Sequence, residues 1–262
     1  MKRNIILAKR YLSYLFSAGN AHSIHSPFVF DLYTQVIRGK TNSIEKNILQ
    51  QLRIKMLNDN RVLNVTDYGT AEGESSQRKL NVSYIAKHYS SGEKKTALLF
   101  RLSKYFKPKN ILELGTSLGF GTTALALGSP QSKIISLEGC PQTAGVAEEN
   151  FNSNGIKDIE ISTGEFSKTL SYAMEKISSA DLVFIDGNHR SSPTLFYFEQ
   201  FLKKSNENSL FIFDDIHWSA DMEKAWTQIQ NHSSVSVTID LFSVGLVFLR
   251  GGIEKQNFVL KF

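Results

Sequence analysis

Ile111-Leu112-Glu113-Leu114-Gly115-Thr116-Ser117-Leu118-Gly119-Phe120-Gly121-Thr122-Thr123 is the stretch on which the reading of this chain turns. A short apolar run closes on an acid, turns through three glycines and opens into Ala124-Leu125-Ala126-Leu127. That is the pattern of a buried parallel strand, a tight loop and a helix N-terminus. Open α/β sheets hold ligands beyond the carboxyl ends of their strands. Glycines at 115, 119 and 121 permit positive φ and let a ligand approach bare backbone.

Working outward, the same strand–helix period recurs. Strand 110–114 precedes helix 121–128, strand 133–137 precedes helix 142–153, and strand 158–162 precedes helix 166–178. Strand 181–185 then precedes helix 193–203, and strand 209–213 precedes helix 219–230. Two last β runs, Val235–Leu241 and Val244–Leu249, lie so close together that only an antiparallel hairpin can join them. The predicted fold is a doubly wound, Rossmann-like α/β sheet with a terminal antiparallel hairpin.

Upstream, a helix over about 92–106 stops at Pro108, and the first sixty residues read as all-helical. Residues 2–17 set Ile5, Ala8, Leu12, Leu15 and Phe16 on one helical face. Pro27 opens a second helix through Val36 or Ile37, and a third runs from about Ile44 to Leu57. Val62-Leu63-Asn64-Val65-Thr66-Asp67 imitates a strand ending in an acid, but polar sequence follows. Residues 67–78 therefore read as a mobile loop, either a lid or a plain surface connection. The expected division is a helical extension over 1–91 and a ligand-binding domain over 92–262.

Composition narrows the function classes. Hydrophobic residues make up 41% and charged residues 21% of 262, the balance of an ordinary globular domain, and no run is long enough for a membrane helix. Lys9 and Arg10 interrupt the apolar start and no small-residue cleavage site follows, so the N-terminus reads as a helix rather than a signal peptide. The single Cys140 fits a reducing, cytoplasmic compartment. Residues 1–100 hold 15 Lys and Arg against 7 Asp and Glu. Because those cations are scattered singly or in pairs, a solvated surface explains them better than a nucleic-acid or anionic-lipid footprint.

The residues that close the strands carry the chemistry: Glu113, Glu138, Asp186 and the pair Asp214-Asp215. A lone acid there caps a helix or forms a turn. Five together on one rim repel one another and call for a cation. NAD brings an anionic pyrophosphate and needs glycine where Ser117 stands. S-adenosylmethionine brings a sulfonium, an ammonium and ribose hydroxyls. Glu138 lies nineteen residues beyond Gly119, the spacing of a ribose-binding acid. The cofactor expected is therefore S-adenosylmethionine.

These motifs, with Val183-Phe184-Ile185-Asp186-Gly187-Asn188-His189 and Phe213-Asp214-Asp215-Ile216-His217-Trp218, resemble class I S-adenosylmethionine-dependent methyltransferases. The likeness is to small-molecule O-methyltransferases of the catechol and caffeoyl-CoA type and their bacterial Asp-Gly-x-His relatives. It covers about 93–250 and leaves 1–90 outside. The resemblance implies that Glu113, Gly115, Thr116, Ser117 and Gly119 line the methionine moiety, with Asp186 also near the cofactor. It implies that Glu138 takes the ribose hydroxyls and that Gly164 and Glu165 flank the adenine. In metal-dependent members an Asp at the position of Asp186 and an Asp-Asn pair bind a divalent cation. Here Asp214-Asp215 stands in that place, leaving magnesium, manganese or calcium as an optional cofactor.

Methyl transfer asks the protein to position and deprotonate an acceptor. His189, three residues past Asp186, is a candidate base, and His217 is the other. The anticipated partner is a small-molecule acceptor, with no nucleic acid and no transmembrane segment; a homodimer is compatible with the sequence. The rival readings are a non-catalytic protein that keeps the cofactor fold, and an RNA or DNA methyltransferase using the basic front half. Intact Glu113, Glu138 and Asp186 speak against the first, and Asp186-Gly187-Asn188-His189 in place of a Pro-Pro-Tyr motif speaks against the second. Trp218, Met222, Trp226 and Ile229 recur at helical spacing and read as core.

Overall fold

The structure is a computed structural model that describes residues 2–41, 43–68 and 76–262. In chain order its elements begin with helices α1 (Lys2–Ser17), α2 (Pro27–Leu32, continued by a π turn over Tyr33–Ile37) and α3 (Ser43–Leu57). Strands β1 (Val62–Asp67) and β2 (Ser76–Asn81) follow, then α4 (Val82–His88) and α5 (Glu93–Phe106). The strand–helix series is β3 (Asn110–Leu114), α6 (Phe120–Gly128), β4 (Lys133–Glu138), α7 (Pro141–Ser153), β5 (Ile159–Thr163) and α8 (Phe166–Glu175). It continues with β6 (Leu182–Ile185), α9 (Ser191–Leu202), β7 (Leu210–Asp214), α10 (Ala220–Asn231), β8 (Val237–Asp240), β9 (Val244–Phe248) and β10 (Gln256–Val259).

This is the doubly wound α/β class with a terminal antiparallel hairpin and N-terminal helices that the sequence predicts. The chain divides into two compact units, 40–178 and 1–39 with 179–262. Among the described residues no helix is long and apolar enough to cross a membrane.

In the unit of residues 40–178, β3, β4 and β5 run parallel in that order, with Leu112 opposite Ile135 and Ile135 opposite Glu160. The strand interior is sealed: Ile111, Leu112, Leu114, Ile134, Ile135 and Leu137 are fully buried, as strands covered on both faces require. Pro141 at the first turn of α7 and Lys107 in the left-handed conformation after α5 mark a helix start and a helix end. Of the predicted loop at 67–78, Asp67 and Ser76 to Arg78 belong to a hairpin: β1 and β2 pair antiparallel from Val62 opposite Asn81 to Asp67 opposite Ser76. Of that loop, 69–75 lie outside the described residues. The polar sequence Ser76-Gln77-Arg78-Lys79 hid β2, because an exposed strand needs few apolar side chains.

The segment before β3 supports the glycine turn. Leu52 and Met56 of α3, Leu63 of β1 and Val82, Ile85 and Ala86 of α4 form one buried cluster with Leu118, Phe120 and Val146. The two large side chains inside the glycine turn, Leu118 and Phe120, are thus anchored from behind. Arg53 lies over the Phe120 ring at 4.6 Å and donates to the Ser91 carbonyl.

In the unit of residues 1–39 and 179–262, β6 pairs parallel with β7, β7 antiparallel with β9, and β9 antiparallel with β8. A further strand, β10, pairs parallel with β8; Gln256-Asn257-Phe258-Val259 was too short and polar to stand out in the sequence. Ser219 caps α10 by accepting from the Met222 N–H at 3.1 Å. Met222, Trp226 and Ile229 are core as expected, whereas Trp218 lies before the helix and is 37% exposed.

Helix α1 spans the predicted residues. It is held through Leu7, Arg10, Tyr11 and Tyr14, and Tyr14 donates to the Leu260 carbonyl at 2.5 Å. The apolar face of Ile5, Leu12 and Phe16 is turned to solvent.

Candidate active site

The glycine turn after β3 is shaped by three left-handed residues, Gly115 at φ 100°, Ser117 at φ 50° and Gly119 at φ 83°. A side chain on Gly119 would place its Cβ 2.7 Å from the Phe151 ring of α7, so packing alone requires glycine here. The Leu118 carbonyl accepts from Asn150 Nδ2 of α7 at 3.0 Å, which fixes the turn from the other side.

Glu113 is completely buried. Its Oε2 accepts from Thr122 Oγ1 and Ser136 Oγ, each at 2.5 Å, while its buried Oε1 has no hydrogen-bond partner among the described residues. Thr116 is buried behind the turn, and its hydroxyl donates to Ser136 at 2.5 Å, giving a relay from Thr116 through Ser136 to Glu113. Burial pushes the Glu113 carboxyl up to about 7, reinforced by the nearby Glu138 and opposed by the two hydroxyl donors. An unsatisfied carboxylate oxygen in a dry pocket is costly by itself and is relieved by a donor or cation from outside.

Glu138, at the end of β4, is part-exposed and anchored by backbone and side-chain donors. Ser117 N–H reaches Oε2 at 2.7 Å, and Cys140 N–H and Thr143 Oγ1 reach Oε1 at 2.9 and 3.1 Å. Burial still holds its carboxyl above the ordinary range against these donors. The Gly139 N–H also favours its charged form, and the side chain stays part-exposed at the end of the strand, open to a ligand hydroxyl. Tyr68, which follows β1, lays its ring on Gly139; a Cβ there would come within 2.9 Å of it. Asn64 N–H donates to Gln142 Oε1, so the hairpin is tied to the start of α7 beside Glu138.

After β5, Gly164 (φ 140°) donates to the Glu138 carbonyl at 2.8 Å, which brings this turn next to the end of β4. Glu165 instead faces solvent with Lys168 at 3.2 Å, and hydrogen bonds from Ser167 and Lys168 hold its carboxyl below the ordinary range. Cys140 is buried, its thiol 3.6 Å from the Asn64 carbonyl.

In the other unit, Asp186 follows β6, and His189 Nε2 stands 3.7 Å from its Oδ1 with both side chains part-exposed. Asn188 takes the left-handed conformation between them and accepts from Arg190 Nε at 3.0 Å. Asp214 is buried, and Asp215 is left-handed with its N–H on the Ser243 carbonyl at 2.7 Å. His217 is bridged on both ring nitrogens: Nδ1 to Glu223 at 3.0 Å and Nε2 to Asp240 at 2.7 Å. Burial alone would lower its pKa, but the two carboxylates outweigh burial and hold it above the ordinary imidazole value. With a carboxylate on each ring nitrogen, His217 is placed as a bridge between Glu223 of α10 and Asp240 of β8.

Residues 112–216 match a family model described as a methyltransferase domain. The chain is 32% identical over 118 residues to a catechol O-methyltransferase of Niastella koreensis, covering 44% of this chain and 52% of that enzyme. It thus spans about half the length of the curated relatives it matches. The solved O-methyltransferase from Bacillus cereus in complex with SAH superposes with a TM-score of 0.56 at 20% identity, over 84% of this chain and 97% of that one. SAH-bound PaMTH1, a methyltransferase of Podospora anserina, superposes with a TM-score of 0.58 at 14% identity, over 87% and 97%.

The fold is the class I methyltransferase fold.

Within this methyltransferase fold the predicted residues divide by role. Glu113, Ser117 and Glu138 meet at one turn, joined by hydrogen bonds or by charge. Thr116 hydrogen-bonds Ser136 behind the turn, and Gly119 packs against Phe151. Asn150, Tyr68 and the Thr116–Ser136 relay were missed; Asn150 sits inside an ordinary amphipathic helix, and Tyr68 lay in a segment read as loop. The acids of the other unit do not make a metal centre: among the described residues no three His, Cys, Asp or Glu side chains come together to hold an ion. Asp186, Asp214 and Asp215 belong to no such group.

Proposed function

We propose that this chain transfers a methyl group from S-adenosylmethionine to a hydroxyl of a small-molecule acceptor. The observation that carries the reading is the pair of acids at the glycine turn: a buried Glu113 oxygen without a partner, and Glu138 anchored beside it and part-exposed. Both acids suit a cationic nucleoside and neither suits a pyrophosphate. When bound, the cofactor supplies a methyl carbon already activated by its sulfonium.

The chain's own groups then have defined tasks. Glu138 accepts from the ribose hydroxyls, and Tyr68 on Gly139 walls that side of the pocket. Glu113 meets positive charge with its unpartnered oxygen. His189 takes the proton of the acceptor hydroxyl, and Asp186, 3.7 Å from its Nε2, stabilises the resulting imidazolium. In this reading residues 92–262 supply the transfer chemistry and 1–91 set acceptor selectivity.

The test is incorporation of labelled methyl from S-adenosylmethionine into a panel of catechols and related phenols. His189→Ala should lower kcat by about a hundredfold or more and leave the S-adenosylhomocysteine Kd unchanged. Undiminished turnover in that variant would remove His189 from the mechanism.

A further inference from the structure

Helix α1 is inverted relative to a helix that docks on a protein core. Such a helix buries its apolar stripe and shows its charges to water. Here the attachment is polar and aromatic. Arg10 pairs with Glu223 at 2.9 Å and donates to the His217 carbonyl, Tyr14 donates to the Leu260 carbonyl, and Tyr11 packs edge-on against Phe242 at 4.9 Å. On the opposite side, Ile5, Leu12 and Phe16 form an outward stripe that is 54%, 54% and 91% exposed. Ile6 and Leu15 flank it at 50% and 39%. Exposed Lys9 lies on the same side, and the helix sequence adds Lys2 and Arg3 and holds no Asp or Glu, Arg10 being committed to Glu223 on the attached side.

We infer that α1 seats this protein on an anionic lipid bilayer, lying in the interface with Ile5, Leu12 and Phe16 among the acyl chains. An apolar face with basic residues and no acid is the make-up of an interfacial helix, whose cations meet anionic headgroups while their stems follow the apolar surface. A second copy of the chain fits the face less well. Two α1 helices facing each other would oppose Lys9 to Lys9 without an acid on either. The strip is also only about 24 Å by about 10 Å, against roughly 800 Å² per partner in a stable interface. The N-terminal helix thereby has an occupant for the side that the fold leaves open.

The full chain is mixed with sedimentable vesicles of phosphatidylcholine alone, or of phosphatidylcholine with one third phosphatidylglycerol, and its oligomeric state is read in parallel by light scattering. The expected result is binding to the phosphatidylglycerol vesicles, weaker binding to phosphatidylcholine, and a loss with added salt. The double variant Leu12→Ser with Phe16→Ser should lose at least about tenfold in partition while its melting temperature holds, since both side chains point outward. Phe196→Ser, at a 49% exposed position on α9, should bind vesicles as the unaltered chain does. Absence of vesicle binding would overturn the inference. So would equal binding by the double variant, or a dimer that the double variant breaks in a protein that ignores both kinds of vesicle.

Discussion

Replacing Glu113 by Gln tests the buried acid directly. In the folded chain its carboxyl is pushed to about 7, mainly by burial, against an ordinary value of 4.5. That difference corresponds to roughly 3 kcal/mol of preference for the neutral form. Between those two values the folded protein binds more protons at this site than the unfolded chain does. The ligand-free protein should therefore lose stability as pH rises from about 4.5 to about 7, and the loss should level off above that. Glu113→Gln keeps an oxygen for the Thr122 and Ser136 hydroxyls, places an amide where the unpartnered Oε1 stands, and does not titrate. Urea unfolding of both proteins at a series of pH values gives the answer as a difference curve. The variant should gain on the parent by a few kcal/mol toward pH 7, and S-adenosylmethionine should bind it more weakly because the counter-charge is gone. Parallel stability curves would refute the claim that Glu113 is driven toward its neutral form.

Two other substitutions probe the frame around the turn and the N-terminal attachment. Gly119→Ala should destabilise the fold by about 2–5 kcal/mol, combining a left-handed alanine with a Cβ forced against Phe151; thermal unfolding reads this, and a change below half a kcal/mol would contradict the packing. His217 has a raised pKa, so its contribution to stability is complete below the ordinary imidazole value and is lost as pH climbs through the raised one. His217→Gln should remove that alkaline fall-off, measured as melting temperature against pH, and a parent curve flat across neutral pH would speak against the bridged imidazolium.

The strand–helix series was legible because strands buried on both faces read as unbroken apolar runs, and β6 and β7 are buried from end to end. Helix boundaries came within a few residues where Pro, Gly or Ser marked them, as at Pro141 and Ser219. What escaped notice had little hydrophobic signal: β2 is mostly exposed, β10 is four residues long, and Tyr68 acts through where the hairpin sets it. Strand-end acids were easy to find but hard to rank. All five close strands in the sequence, yet Glu113 and Asp214 are buried while Glu138 is part-exposed, and no sequence pattern separates them. His217 looked like His189 in the sequence; only the approach of Asp240 and Glu223 from other elements sets its role. On α1 the apolar face was legible and its direction was not, because periodicity reports that a face exists and not what it faces.

The central claim is that Glu138 and Glu113 make a pocket for a cationic nucleoside cofactor. The most direct measurement is calorimetric titration of the protein and of its Glu138→Ala variant with S-adenosylmethionine, S-adenosylhomocysteine and NAD. The account predicts one site for each of the first two, none for NAD, and a loss of about tenfold or more in the variant. Saturable binding of NAD in their place, or equal affinity with and without the Glu138 carboxylate, would contradict it.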